Sequence, residues 1–475
     1  MKLGRRPSNE VAKSVAVRAA AVVLWLVIWQ LASMAVGQAL ILPGPVEVLA
    51  AICRLVPTVS FWTKVGFSAA RIICGMLAAC ALALILAAAS KASNAVRVLA
   101  RPPLLAMKAT PVVCVVVLLL IWLGASYVSV AAVFLMVLPA VYFPSLEGLS
   151  QASTPMRELM DVHDVRGLKR VLAYWWPELL PYLVATGESV VGMSWKAGVA
   201  AELIGMPAGS IGERIYQAKL LLETGDLFAW TIVVIALAAL SERAFLALLR
   251  GSAAAAISAA VRMHGAVRES AESSSCPSRG EGAACEVLGA KDLLLPHGAA
   301  AGKAVSFSLG SGGRMCVFAK SGAGKTTLLR VLAGLEDPVA GTAVSPGRIS
   351  MVFQEPRLVE NASALDNVLL MSAPDISADD AGALLHGAIP EVDPATRASE
   401  LSGGQRRRVE IVRALCAPGE AVLLDEPFAG LDAAAKASVC KLVLNNLNGR
   451  ALLVATHDEA DARALGASVF ELPEA

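Results

Sequence analysis

Hydrophobic and polar positions change their spacing near residue 250, and the two halves of the chain predict different elements. Before that point, apolar runs at residues 15–36, 65–89, 104–123, 127–146, 179–203 and 227–249 each approach the roughly 20 residues a helix needs to cross a bilayer. They predict six membrane spans. The first run exceeds the roughly 7 to 15 apolar residues of a cleaved signal peptide, so it reads as a retained span. Beyond residue 284 the apolar runs shorten to strand length, as at 315–318, 349–353 and 421–424, with helical stretches between them. That pattern predicts an α/β domain. Between the halves, an Ala-rich helical tail passes into ESAESSSCPSRGEG, small, polar and rich in breakers, which reads as a linker. The expected division is a membrane domain at 1–250, a linker at 251–284 and an α/β domain at 285–475.

Composition supports the membrane half. Hydrophobic residues make up 56% of the 475, charged residues 17%, and the mean hydropathy is +0.63, too apolar for a wholly soluble chain of this size. A net charge of +2, with no basic run or face, excludes a nucleic-acid binder. The nine cysteines are scattered without a CxxC pair, as small buried hydrophobes in a reducing compartment would be. Charge asymmetry orients the spans. Lys2, Arg5, Arg6 and Lys13 precede the first, Lys91, Arg97 and Arg101 follow the second, and Arg157, Arg166, Lys169 and Arg170 follow the fourth. The opposite loops hold only Arg54, Lys64, Arg214 and Lys219, so the N-terminus and the α/β domain are expected in the cytoplasm.

Candidate chemistry concentrates in the second half. AKSGAGKTT follows the predicted strand at 315–318: Ser321, Gly322, Ala323 and Gly324 form a loop able to wrap phosphates, Lys325 can reach the β- and γ-phosphates, and Thr326, followed by Thr327, can ligate Mg²⁺. Ala319 stands where GxxxxGK[ST] has its first glycine, and costs about 1 kcal/mol if that position needs a positive φ. At 401–432, LSGGQRRRVEIVRALCAPGEAVLLDEPFAGLD places Ser402, Gly403, Gly404 and Gln405 at a helix N-terminus, where free N–H groups and the dipole favour an anion. Downstream, Asp425 ends a buried strand and can hold Mg²⁺ through water, while Glu426 can orient or deprotonate an attacking water.

LSGGQ about twenty residues before DEP resembles the signature and second nucleotide motif of ABC ATPases. Gln354 after ISMVF, Asp432 in GLD and His457 in VATHDEA follow in that family's order. The resemblance implies that Gln354 contacts Mg²⁺ and the membrane domain, Asp432 links two sites across a dimer, and His457 senses the γ-phosphate. It further implies two ATPase domains packed head to tail, each offering its signature to the nucleotide on the other's phosphate loop. The family's adenine-stacking aromatic has no counterpart in KDLLLPH; Leu293 is the expected alignment to it and His297 the rival.

In the membrane half, MRELMDVHDVRGLKRVLAYWWPELLP resembles the EAA coupling loop of binding-protein-dependent ABC importers, with Leu159 and Met160 replacing its two alanines and Asp164 its usual glycine. LPGPVEVL, SAARIICG and SWKAGVAAELIG resemble the permeases of nitrate, taurine and alkanesulfonate importers. Glu188, Trp195 and Glu202 recur every seven residues, so one helical face is expected to line the bundle or a cavity. Lys196 beside them, costly in lipid, is expected to face protein or water, in an ion pair, snorkelling or against substrate.

The fold implied is a membrane α-helical permease domain with six transmembrane helices plus an α/β P-loop ABC ATPase domain. The function implied is an ATP-driven importer half-transporter, multi-pass in the cytoplasmic (inner) membrane, with ATP and Mg²⁺ as cofactors. Its expected partners are a second copy of the chain and a separate extracytoplasmic solute-binding protein, and its solute a small organic anion. An ABC exporter half-transporter and a non-transporting regulatory ATPase are the alternatives.

Overall fold

The computed structural model describes residues 8–38, 40–271, 286–298, 300, 302–320 and 322–473. Lys2, Arg5, Arg6, Ser321 and the polar part of the expected linker lie outside the described residues. Two compact units result, one of residues 1–150 with 181–250, the other of 151–180 with 251–475.

The first unit is helical: α1 (Ser8–Val36), α2 (Pro45–Leu55), α3 (Val59–Ala92), α4 (Asn94–Ala109), α5 (Val112–Leu123) and α6 (Val128–Ser150). After the excursion through α7 (Thr154–Val162) and α8 (Gly167–Arg170), it resumes with α9 (Trp176–Gly205), α10 (Ile211–Leu220) and α11 (Thr224–Ala271). Among the described residues, four helices are long and apolar enough to cross a membrane, or five if a bent pair counts as one. Two of the six expected runs differ from a plain apolar helix. The third run is two helices, α4 and α5, meeting at 107°, because Pro111 has no N–H and drives Thr110 into an extended conformation. The fifth run is a continuous helix, α9, but Glu178, Glu188, Lys196 and Glu202 make it too polar to qualify by composition alone.

The motif pieces in this unit are packing devices. A Cβ on Gly75 of α3 would meet the Val130 carbonyl of α6 at 2.6 Å, and one on Gly198 of α9 would meet Ile72 of α3 at 2.4 Å, so both glycines mark close helix crossings. Ser68 of α3 donates to Glu202 of α9 at 2.7 Å and accepts from the Ile211 N–H at 2.9 Å; Glu202 also accepts from the Gly212 N–H at 3.3 Å. Trp195 is buried and donates to Ser241. Glu188, expected on the same face, is exposed instead, and so is Lys196, which has no ion-pair partner among the described residues.

The second unit carries two sheets. An antiparallel one runs β2 (Ala304–Gly310), β1 (Glu286–Leu294), β4 (Ala340–Val344). A parallel one runs in the order β5 (Ile349–Val352), β6 (Ala421–Asp425), β7 (Ala451–Thr456), β3 (Arg314–Phe318), β8 (Ser468–Glu471). β6 and β7 are buried throughout, as strands covered on both faces require, and their sequences are accordingly unbroken apolar runs. Connections pass through α12 (Lys325–Leu332), α13 (Ala364–Leu369), α14 (Ala378–Ala388), α15 (Gly403–Cys416), α16 (Ala433–Asn446) and α17 (Glu459–Leu465). Parallel pairing aligns Phe318 with Thr456, Val352 with Leu424 and Asp425 with Ala455. The segments that leave β3, β5, β6 and β7 therefore emerge at one edge of the sheet, the carboxyl edge where such folds bind ligands. The Ala-rich start of the expected linker continues α11 as far as Ala271.

Candidate nucleotide site and coupling joint

At that edge, β3 turns into α12 through the phosphate loop. Gly322 and Gly324 have φ of 80° and 113°, backbone that a side chain would strain. Lys325 is buried, and its Nζ donates to the Ala319 carbonyl at 2.6 Å, folding the side chain back over the loop. Ala319 itself does not take a positive φ, so the expected penalty for replacing glycine there does not arise. Ala323 is buried, and its carbonyl accepts from the Ala300 N–H at 3.0 Å. Thr326 and Thr327 open α12.

Asp425, at the end of β6, is 1% exposed, and neither carboxylate oxygen meets a hydrogen-bond partner although the Thr326 hydroxyl lies beside it. Burial raises its pKa, against the pull of Thr326, Arg407 and Lys325. The next residue, Glu426, holds φ +44°, a left-handed conformation that is strained for a non-glycine residue and tends to mark functional sites. Its carboxylate lies 3.5 Å from Nδ1 of His457, which follows β7. The turn carrying His457 is pinned from α16: Lys436 pairs with Asp458 at 2.6 Å and with Asp461, whose other oxygen accepts from Thr456. Asp432 caps the same α16, accepting from the Ala435 N–H at 2.7 Å.

The signature forms an N-terminal cap on α15. Ser402 accepts from the Gln405 N–H, and the Gln405 side chain accepts from the Ser402 N–H at 2.9 Å, a reciprocal capping box that leaves Ser402 and Gly403 exposed. The rest of α15 was not legible as a site. Arg407 donates to the carbonyls of Phe353 and Gln354, Glu410 accepts from the Arg357 N–H, and Arg413 donates to the Arg357 carbonyl at 2.6 Å. All three side chains are buried, so this helix moulds the Gln354 loop while Gln354 remains exposed. The clue was RRRVEIVR, in which Arg407, Glu410 and Arg413 recur at i, i+3 and i+6 among the apolar Val409, Ile411 and Val412.

The segment that resembles a coupling loop belongs to this unit. Ser153 caps α7, with Pro155 in its first turn. Glu158 accepts from Arg330 at 2.8 and 3.0 Å and from Arg357 at 2.9 Å, while Arg357 also donates to the Pro155 carbonyl. Hydrogen bonds from Arg330 and Arg357 hold the Glu158 carboxyl below its ordinary pKa. Leu159 and Met160, the departures from the two alanines, are fully buried in a core shared with Met351, Phe353 and Leu370. Asp164, in place of glycine, keeps the left-handed turn with φ +51°, which aspartate tolerates better than most residues. Neither docking arginine was predicted.

One expectation is overturned. Leu293 is 0% exposed inside the core of this unit, paired in β1 with Val305, and offers no surface to a base. His297 is exposed, and its neighbour Gly298 lies so close to the phosphate loop that an added Cβ would meet Gly324 at 2.7 Å.

A phosphate loop, adjacent acidic residues at the tip of a parallel strand and a capped signature helix define a nucleotide-binding ATPase. Residues 303–429 match the family model described as ABC transporter, and residues 72–251 that described as binding-protein-dependent transport system inner membrane component. The aliphatic sulfonates import ATP-binding protein SsuB of Corynebacterium glutamicum is 38% identical over 178 residues, 36% of this chain and 73% of the relative. SsuB 1 of Nocardia farcinica is 40% identical over 175 residues, 35% of this chain and 70% of the relative. A dimeric bacterial ABC transporter cassette of known structure aligns over 39% of this chain and 94% of its own at 25% identity, with a TM-score of 0.34. The chain belongs to the ABC transporters. It joins an importer-type permease domain and an ATPase domain in one polypeptide, an integral membrane protein that couples ATP hydrolysis to transport, and the exporter and regulatory alternatives are not favoured.

Proposed function

We propose that the chain is half of a homodimeric importer in the cytoplasmic membrane, taking aliphatic sulfonates or similar small organic anions from a separate extracytoplasmic binding protein. In this reading residues 1–250 are the permease domain, 251–284 a linker and 285–475 the ATPase domain, with the ATPase in the cytoplasm. The observation that carries the reading is Glu158, inside the permease family match, held by Arg330 on the phosphate-loop helix and Arg357 beside Gln354. The sulfonate SsuB relatives support the solute class.

In this reading Gly322, Ala323, Gly324, Lys325, Thr326 and Thr327, with Ser321, cradle the phosphates of ATP, and Lys325 exchanges its loop carbonyls for phosphate oxygens. Ser402, Gly403, Gly404 and Gln405 serve the partner subunit's nucleotide, and Asp432 lies at that junction. Glu426 positions and deprotonates the attacking water, and His457 orients Glu426 and the γ-phosphate. The site fits Mg²⁺: Asp425 has two buried oxygens without partners beside the Thr326 hydroxyl. When bound, the ion neutralises phosphate charge, held by Thr326, Gln354 and Asp425.

The test is uptake of labelled ethanesulfonate by proteoliposomes containing the full chain, ATP and the cognate binding protein. ATP-dependent accumulation from the binding-protein side supports the proposal. Failure with sulfonates but uptake of another solute would overturn the solute class, and movement only in the opposite direction would overturn import.

A further inference from the structure

The His457 side chain is 69% exposed, so packing does not hold its ring, and its approach to Glu426 depends on the backbone of the turn that carries it. That turn leaves β7 at Thr456 and enters α17 at Glu459. Its flanking residues are bonded to one another. Asp458 caps α17, accepting from the Ala460 N–H at 2.9 Å, and its own N–H donates to the Thr456 hydroxyl at 3.2 Å. The same hydroxyl donates to the buried Asp461. On the other side of the pair, the Glu426 N–H donates to the Ala455 carbonyl of β7 at 2.9 Å.

One cation from α16 reaches both flanks of the turn. The Lys436 Nζ meets the Asp458 carboxylate at 2.6 Å and pairs with the Asp461 oxygen that Thr456 does not use. It also lies 5.8 Å from the centre of the Phe428 ring, within reach of a cation–π contact, and Phe428 is two residues past Glu426. Bonds to Asp458 and then Asp461 raise the Lys436 pKa, and the bond from Lys436 lowers that of Asp458, so the bridge is charged throughout the neutral range. The bonds within the turn set its shape. The bridge from Lys436 sets its place relative to α16 and the Phe428 segment.

We propose that Lys436 is a positioning residue for ATP hydrolysis, holding the His457 turn where His457 reaches Glu426. It touches no reacting atom and lies outside the nucleotide motifs. Its role rests on reading Glu426 and His457 as the groups that handle the attacking water. Catalytic groups must be held to within about 0.5 Å, and a displacement of about 1 Å costs on the order of 10²-fold in rate. An ammonium suits the task, because its three donors can serve two carboxylates from one point.

The test is ATP hydrolysis by the full chain in nanodiscs, with ATP binding and melting temperature measured separately. Lys436→Met keeps the aliphatic stem and removes the ammonium; kcat should fall about ten-fold or more, with the ATP Kd within about two-fold of wild type. Lys436→Arg, which can meet both carboxylates, should restore at least about a third of the wild-type kcat. Asp458→Asn removes only the exposed arm of the bridge and leaves Asp461 paired, so it decides the matter if Lys436→Met does not fold. Its kcat should fall about three-fold or more. In a His457→Ala background, Lys436→Met should change the single-turnover rate by less than about two-fold, because Lys436 acts through His457. Arg463→Gln, which removes an exposed ion pair with Glu459 on the same α17, should leave the rate unchanged. A normal kcat in folded Lys436→Met or in Asp458→Asn, no recovery with Lys436→Arg, loss of ATP binding in step with rate, or a full further loss in the His457→Ala background would each overturn the proposal. Normal hydrolysis by His457→Ala alone would overturn the reading of His457 and this role with it. Slow hydrolysis by His457→Ala beside a normal rate in Lys436→Met would overturn the positioning role alone.

Discussion

Replacing Glu158 is the most direct perturbation of coupling. Its carboxylate makes three charge-assisted hydrogen bonds to two arginines, and the side chains are 16% exposed for Glu158, 20% for Arg330 and 11% for Arg357. In Glu158→Gln, Arg330 keeps Glu336, and Arg357 keeps its stack on Phe353 and the Pro155 carbonyl, so neither cation is abandoned. Hydrogen bonds to charged groups contribute about 1.5–3 kcal/mol each when buried, and partial exposure argues for a net loss near 2 kcal/mol, roughly thirty-fold in the docking equilibrium. Glu158→Arg adds repulsion of about 4 kcal/mol per arginine at 4 Å and an effective dielectric of about 20, before the side chains relax. The assay is uptake and ATP hydrolysis measured in parallel in proteoliposomes. Glu158→Arg should abolish uptake and binding-protein stimulation while ATP binding persists, and Arg357→Glu in the same chain should restore part of both. Because the Glu158 pKa is depressed in the folded state, its contribution is fully present above the ordinary glutamate value, near 4.3, and is lost only below it as pH falls through the lower folded value. Coupling through this residue should therefore be flat from pH 6 to 8. Normal uptake with undisturbed stimulation in Glu158→Arg would refute the reasoning.

Glu426→Gln should retain ATP binding, which rests on Lys325 and the loop backbone, and lose a factor of about 10² or more in turnover; unchanged turnover removes Glu426 from catalysis. His297→Ala should weaken ATP binding roughly tenfold, since base stacking on an aromatic ring is worth about 1–3 kcal/mol. Leu293→Tyr should instead overpack the core and cost about 1–3 kcal/mol of stability, read as a lower melting temperature; tighter ATP binding in that variant would return the base to Leu293. Lys196→Gln should reduce uptake with expression and melting temperature intact, because the side chain is exposed and unpaired among the described residues; a clear fall in melting temperature would place it in an ion pair across the dimer.

What the sequence revealed follows from how local each signal is. The phosphate loop, signature and acidic pair are short motifs whose chemistry depends on neighbouring residues, and the parallel sheet delivers them to one edge. The break between α4 and α5 was also local, because Thr110-Pro111 fixes an extended backbone, but an apolar run masked it. Leu293 was misplaced because apolar residues in a short run do not say which of them face the core, and β1 carries register shifts on either side of its middle. Arg330 and Arg357 were invisible for a different reason. Each is an ordinary arginine until the fold brings Glu158, more than 170 positions away along the chain for both, into reach. Asp164 and Ala319 looked like faults against a motif. One keeps the left-handed turn without glycine, and the other occupies a position that does not demand it.

The position of Glu158 matters because its two arginines belong to different parts of the nucleotide site. Arg330 lies on α12, whose first residue is Lys325, and donates to both carboxylate oxygens, so Glu158 is tied to the helix that begins at the phosphate loop. Arg357 lies three residues past Gln354, and its backbone is held at both N–H and carbonyl by Glu410 and Arg413 of α15, the helix capped by Ser402. A single side chain on the coupling segment is thereby in contact with the helix that follows the phosphate loop and with the loop braced by the signature helix. Both contacts are through short, charged, largely covered bonds, and the α15 residues that brace the second one are buried. A hydrophobic contact in the same place would slide, since dispersion is non-directional. A carboxylate shared between two fixed guanidinium groups resists displacement along both directions, so movement of either nucleotide element must break a bond to Glu158 or carry it along.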